Sequence, residues 1–152
     1  MSAQSTLISQ QQLVDAAKAP LIAFNEKDWD AVRASITSDF VYDEVATHRK
    51  VQGVDQVIPL WQGWATAFPD ARATFHRALP SDGTVVLELT WQGTHKGPLQ
   101  TPKGAIAATE KSIEIRSCVV TEIAGDKAKL QRHYFDMATM LHQLGVDQLS
   151  RS

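Results

Sequence analysis

The sequence predicts an α+β fold, helices first and a run of antiparallel strands after, with the strands forming a curved sheet that packs the helices on one face. Two observations carry that expectation. Apolar residues recur at a spacing of about 3.6 in the first half of the chain and about 2 in the second. The strand-like runs are separated by turn signals such as Pro80-Ser81-Asp82-Gly83 and Ala124-Gly125-Asp126-Lys127.

Taken in order, Leu13, Ala17, Leu21 and Phe24 form one helical stripe over residues 10–25, with Pro20 placed to kink it or to start a second segment. Asp28 is placed to N-cap a short helix carrying Trp29, Val32 and Ile36. Phe40 to Val45 is a short strand candidate. The cleanest helical period runs through Val54, Val57, Ile58, Trp61, Trp64, Ala65 and Phe68, with Asp55 as cap and Pro59 near the first turn. Phe68-Pro69-Asp70 ends it, because the residue before proline avoids helical dihedrals.

Strands are then expected over Ala71 to Leu79, Val85 to His95, Ser112 to Ile123 and Ala128 to Phe135, with a Gly/Pro-rich loop from Lys96 to Gly104. Val85, Leu87, Leu89, Trp91 and His95 share one face, so the second strand is apolar on one side and ends in a histidine. Met137, Met140, Leu141 and Leu144 read as a terminal helix stopped by Gly145. The layout is a flexible segment over 1–12, one domain over 13–146 and a tail over 147–152.

Composition narrows the function classes. The 152 residues carry 15 Lys+Arg against 17 Asp+Glu, a net charge of −2, and a pI near 6.2. That balance lacks the basic footprint of a nucleic-acid binder. No apolar run approaches the ~18 residues needed to span a membrane, and the polar start at Met1 to Gln12 is unlike a signal peptide. The lone Cys118 cannot close an internal disulfide, which fits a reducing compartment and a cytoplasmic location.

The histidines, His48, His76, His95, His133 and His142, form neither an HExxH pair nor a Cys/His cluster, and His133-x-x-Asp136 offers two ligands at most. No metal is expected, and with no P-loop or GxGxxG no cofactor is either. Cys118, mid-strand with Glu114 and Arg116 on its face, is the one nucleophile candidate, against which stands the reading of a buried structural cysteine. Trp29, Trp61, Trp64 and Trp91 are core aromatics or the lining of a pocket for a flat apolar ligand.

His95 reads either as a satisfied core histidine or as a polar tip projecting into an apolar cavity. Asp136 has two opposed readings. As N-cap of the terminal helix it would have a lowered pKa. As the last residue of a strand, facing the concave side with Tyr134 and Arg132, it would sit in an apolar cavity with a raised one, as a general base requires.

Phe68-Pro69-Asp70, Gly93-Thr94-His95-Lys96-Gly97 and Asp136 followed by Leu141-His142-Gln143-Leu144-Gly145 resemble the SnoaL-like polyketide cyclases of the nuclear transport factor 2-like superfamily, over roughly Leu13 to Val146. The resemblance implies a cone: a strongly bent antiparallel sheet wrapped around helices, an apolar pocket open at one end, and a homodimer formed through the outer sheet face. It also implies Asp136 as acid/base, His95 as the residue that contacts substrate, and a cofactor-free intramolecular aldol closure. In that chemistry His95 and Tyr134 stabilise the enolate.

Two departures stand out. Arg132 occupies a position where relatives carry tryptophan, placing it to pair with Asp136 or to bind an acidic substrate, and Thr101-Pro102-Lys103-Gly104 replaces the usual Pro-Pro-Thr-Gly. The expected substrate-facing set is Tyr134, Arg132, Trp91, Trp64, Trp61, Tyr42 and Cys118. The leading expectation is acid/base chemistry on a small apolar carbonyl compound. The alternatives are a non-catalytic binding domain, and an epoxide hydrolase built on Arg132 and Asp136 with Asp43 as third member.

Overall fold

The computed structural model describes residues 8–146. Helix α1 spans Gln10–Asn25 and α2 Trp29–Ser35; β1 is Ile36–Glu44, followed by a 3-10 turn at Val45–Thr47 and β2 at Arg49–Gln52. Helix α3 is Val54–Ala67, β3 Arg72–Ser81, β4 Thr84–Thr94, β5 Leu99–Thr101 and β6 Gly104–Ile106. The chain closes with β7 at Ser112–Ala124, β8 at Lys127–Phe135 and α4 at Met137–Gln143. The segment expected to be flexible over 1–12 overlaps α1, which starts at Gln10 on a Ser9–Gln12 capping box. Residues 1–7 and the expected tail over 147–152 lie outside the described residues.

Six strands form one sheet in the order β2-β1-β8-β7-β4-β3, and β5-β6 forms a separate small hairpin. The sheet is curled and mostly antiparallel. The exception is β1 against β8, which run parallel with Tyr42 opposite Gln131 and Glu44 opposite His133. Alternation puts Val85, Leu87 and Leu89 of β4 on the concave side, all at most 1 % exposed. Leu13, Val14, Ala17 and Leu21 of α1 pack on them, while α3 covers the other half of the concave face with Val57, Ile58 and Trp61. At roughly 25 cal/mol per Å² of apolar surface buried, this inner face is what holds helices to sheet.

Several local expectations are corrected. Helix α1 runs unbroken through Pro20, a buried residue, with no second segment. Helix α3 starts on Gly53 (φ +97°) rather than on an Asp55 cap, and Pro59 falls in its second turn. The Lys96–Gly104 loop contains β5 and leads into β6, whose Leu99 and Ile106 reach the core. Asp82 and Gly83 both take positive φ (50° and 80°), the signature of a two-residue hairpin turn. The preceding Pro80 is tolerated because β3 is an edge strand.

One irregularity decides the site. The β7–β8 register shifts between Glu122 and Ile123, so that Leu130 faces Glu122 while Ala128 faces Ile123. Lys129 is the extra residue of a β-bulge. Ala128 and Gln131, three apart, are therefore both buried (0 % and 1 %). Beyond the bulge the concave face belongs to Gln131, His133 and Phe135. Arg132, Tyr134 and Asp136 are carried to the other side.

Candidate functional site

A cavity of about 80 Å³ opens between the concave sheet face and the helices. Helix α1 supplies Leu21 and Phe24, α3 supplies Trp61 and Trp64, and Met140 comes from α4. The sheet supplies Tyr42, Trp91, Ile113, Ile115, Gln131, His133 and Phe135. Trp61 and Trp64 face it together because residues three apart share a helix face. Tyr42 meets Trp61 edge-on at 5.4 Å, and Trp64 meets Phe135 edge-on at 6.2 Å, an arrangement that holds the walls rigid. The walls are overwhelmingly apolar, and the space is well below the ~300–1,000 Å³ of drug-sized sites. A ligand that fits is compact.

Behind one wall lies a buried polar chain. Glu44, 0 % exposed, accepts on Oε1 from Thr47 Oγ1 (2.6 Å) and Arg49 Nη2 (2.8 Å), and on Oε2 from the Tyr42 hydroxyl and Trp64 Nε1 (2.9 Å each). Burial, the largest influence on this carboxyl, pushes its pKa up. The bonds from Thr47 and Arg49 together outweigh burial, so the group lies below the usual range and is ionised. Four donors saturate both oxygens.

The Tyr42 oxygen is also 2.8 Å from Nδ1 of His133. Nε2 of His133 is 2.7 Å from Ser117 Oγ and receives Trp91 Nε1–H at 3.2 Å. The single Tyr42 proton goes to Glu44, so Nδ1 must carry the proton given to Tyr42, and Nε2 is left as the acceptor. Burial pushes His133 down to about 4, against a smaller upward pull from Glu44, so at neutral pH the ring is uncharged. The Tyr42 hydroxyl is pushed well above its ordinary pKa by burial first and by the Glu44 charge second.

Among the residues singled out from sequence, Trp61, Trp64, Trp91 and Tyr42 are brought together at the cavity. The others are not. Asp136 is exposed and N-caps α4, accepting from Thr139 N (3.1 Å) and Thr139 Oγ1 (2.7 Å). Those bonds lower its pKa, the side-chain bond most. Tyr134 is 42 % exposed. Arg132 pairs with Glu122 at 3.4 Å, and among the described residues no ion pair joins it to Asp136 or to Asp43. Cys118, a free thiol raised above its ordinary pKa by burial, shares an open depression with Tyr134, Asp136 and Arg116. The expected concave placement of Asp136, Tyr134 and Arg132 fails because the Lys129 bulge reverses the alternation.

His95 is fully buried and lies one ring away from the cavity, packed on Phe68 at 5.3 Å. Its backbone bridges Lys111 and Glu110, Nδ1 accepts from Thr109 N at 3.2 Å, and Nε2 has no hydrogen-bond partner. Burial lowers its pKa. Sequence reading passed over Glu44, Ser117 and Gln131 as site residues and weighed His133 only as a metal ligand beside Asp136. The available signal was the Tyr42-x-Glu44 alternation on β1, which puts both on one face. Among the described residues no group of three or more His, Cys, Asp or Glu is placed to hold a metal ion, and no helix is long and apolar enough to cross a membrane.

A curled sheet wrapped on helices is the architecture of several solved proteins. One assigned as a SnoaL-like polyketide cyclase from Jannaschia sp. CCS1 matches with a TM-score of 0.79 at 15% identity, over 89% of this chain and 92% of that one. IdmH, assigned as a polyketide cyclase from Streptomyces antibioticus, matches at 0.75 and 22%, over 89% and 99%. An LEH-like epoxide hydrolase from M. tuberculosis matches at 0.70 and 21%, over 93% and 96%. These likenesses establish the nuclear transport factor 2-like fold. The SnoaL-like polyketide cyclase family model matches residues 14–144, and the chain belongs to that family. No curated protein matches it.

Proposed function

We propose that the protein carries out cofactor-free acid/base chemistry on a compact, apolar, carbonyl-bearing molecule, of the aldol or isomerisation type, with His133 as the proton acceptor. The observation that supports this reading most is the Glu44–Tyr42–His133 chain, which ends in a neutral imidazole on the wall of an apolar cavity. Nε2 takes a proton from carbon beside the carbonyl. The imidazolium so formed keeps its Nδ1–H on Tyr42, and the ionised Glu44 behind Tyr42 favours the new positive charge. Two groups face this lone pair: Ser117 Oγ at 2.7 Å, which has a second acceptor in the Tyr134 carbonyl at 3.1 Å, and the Trp91 indole N–H at 3.2 Å; both must turn aside for Nε2 to take the proton.

In this reading the acid/base role moves from Asp136 to His133, and Asp136 and His95 act as structural residues. The epoxide hydrolase alternative loses support: Arg132 and its register neighbour Asp43 alternate away from the cavity-lining residues, Arg132 pairs with Glu122, and Asp136 is taken up by Thr139. Homodimerisation through the outer sheet face and a cytoplasmic location belong to the same proposal; the exposed Tyr134 ring and the unpaired Cys118 support them respectively. Sedimentation velocity checks the dimer.

The test is deuterium exchange at the α-carbon of cyclic ketones and 1,3-diketones in buffered D₂O, followed by NMR. The parent accelerates exchange, and His133→Gln loses about 10²–10⁴-fold of that acceleration. Binding of the same compounds with no acceleration sinks the enzyme reading in favour of a binding domain. The observation favouring that second reading is that both His133 nitrogens are already hydrogen-bonded.

A further inference from the structure

Gln131 takes no part in the polar chain. It is 1 % exposed, lines the cavity, and its Nε2 has no hydrogen-bond partner. It stands between Tyr42 of β1 and Thr121 of β7, its register partners on either side. Thr121 is fully buried, and its Oγ1 is also without a partner. Of the other strong donors at the cavity, the Tyr42 hydroxyl, the indole N–H groups of Trp64 and Trp91 and the Gln92 amide are committed to Glu44, His133 and Glu114; Trp61 is the remaining indole on the wall. Buried amide donors are normally satisfied, and an exception on a cavity wall calls for an acceptor inside the cavity.

The cavity wall also bears on the ligand's charge. The Glu44 carboxylate is one hydrogen bond behind the wall, and its counter-ion Arg49 is spent on it. An anionic ligand would lose its hydration in an apolar site whose wall carries no Lys or Arg to pair it, the nearby Arg49 being held by Glu44.

We propose that Gln131 is the specificity-determining residue of this cavity: its amide donates to a neutral oxygen acceptor on a compact ring, so that uncharged cyclic ketones are taken in preference to hydrocarbons and carboxylates of the same shape. The inference rests on the reading of the cavity as a ligand site. It goes further in naming the group that is recognised and the residue that recognises it.

The indole N–H NMR signals give the readout. Trp61, Trp64 and Trp91 line the cavity, and Trp29, which does not, is the internal reference. The parent is titrated with cyclohexanone, methylenecyclohexane and cyclohexanecarboxylate. The ketone is expected to bind about 3- to 10-fold more tightly than the hydrocarbon, the worth of one net hydrogen bond, and the carboxylate to leave the signals unmoved. Gln131→Met removes the ketone's advantage while keeping the hydrocarbon.

Equal binding of ketone and hydrocarbon by the parent overturns the inference and leaves the cavity reading standing. A ketone preference that survives in Gln131→Met does the same. If no probe moves the three indole signals, the cavity reading itself falls and takes the inference with it. The comparison among probes in the parent decides the matter even where the variant does not fold.

Discussion

The Tyr42 hydroxyl and Nδ1 of His133, 91 positions apart in sequence, lie 2.8 Å apart because β1 and β8 run parallel and in register at this level. A side chain from each strand reaches the concave side, and Glu44, two residues after Tyr42, anchors the pair from behind. The arrangement joins an ionised carboxylate to a neutral imidazole through one phenol. Its expected behaviour follows.

Replacing Glu44 by Gln leaves Arg49 without its anion and turns one acceptor oxygen into a donor facing its neighbours' donors. Breaking a buried pair in this way costs about 3–5 kcal/mol. Because Arg49 is itself about a third exposed, the loss belongs at the lower end. Urea denaturation of Glu44→Gln against the parent measures it, and an unchanged midpoint would refute the account of Glu44.

His133 makes stability fall with acid well above the carboxylate range. Its folded pKa of about 4 lies below the ordinary histidine value of 6.5. The unfolded chain therefore binds a proton that the folded one refuses, and stability present above pH 6.5 is lost as pH falls from 6.5 towards 4. The total loss is roughly 3 kcal/mol. His95, also lowered, adds to the same slope. Denaturation of His133→Gln between pH 7 and 4 should show a distinctly flatter dependence than the parent.

Asp136→Ala removes the cap of α4 and nothing at the cavity. Its expected signature is a modest loss of thermal stability with ketone exchange and probe binding unchanged. Loss of exchange activity with stability intact would return the acid/base role to Asp136.

Gly97→Ala is expected to be disproportionately harmful. An added Cβ would stand 2.3 Å from the Thr66 backbone carbonyl, where only main-chain movement relieves the clash. The cost is about 1–3 kcal/mol, read by denaturation, and Gly63→Ala, whose Cβ would meet nothing within 4 Å, serves as the control.

Much of the fold was legible in the sequence because the signals were local. The Asp28 and Asp136 caps, the Phe68-Pro69 stop and the alternation of β4 each depend on a few neighbouring residues, and each is present. The family likeness was legible for the same reason. The site was only half legible. The tryptophans were marked by their periodicity. Arg132, Tyr134 and Asp136 share one face as their parity requires, but the side to which that face turns is set by the Lys129 bulge, which has no sequence mark of its own. Glu44 went unread because a charged residue at a strand end is ordinarily a solvated one. Only the fold shows its four donors arriving from β1, the 3-10 turn, β2 and α3.

The parallel pairing of the first and the last long strand also orders the site in time. During synthesis Tyr42 and Glu44 are finished early, and His133 follows only as the chain nears its end. The polar chain and the cavity wall at Gln131 therefore cannot form until β8 docks beside β1, a long-range closure of the kind that is slow relative to local structure. The cavity wall is completed only at the end of folding, and a nascent or C-terminally shortened chain lacks it however many of its helices have already formed.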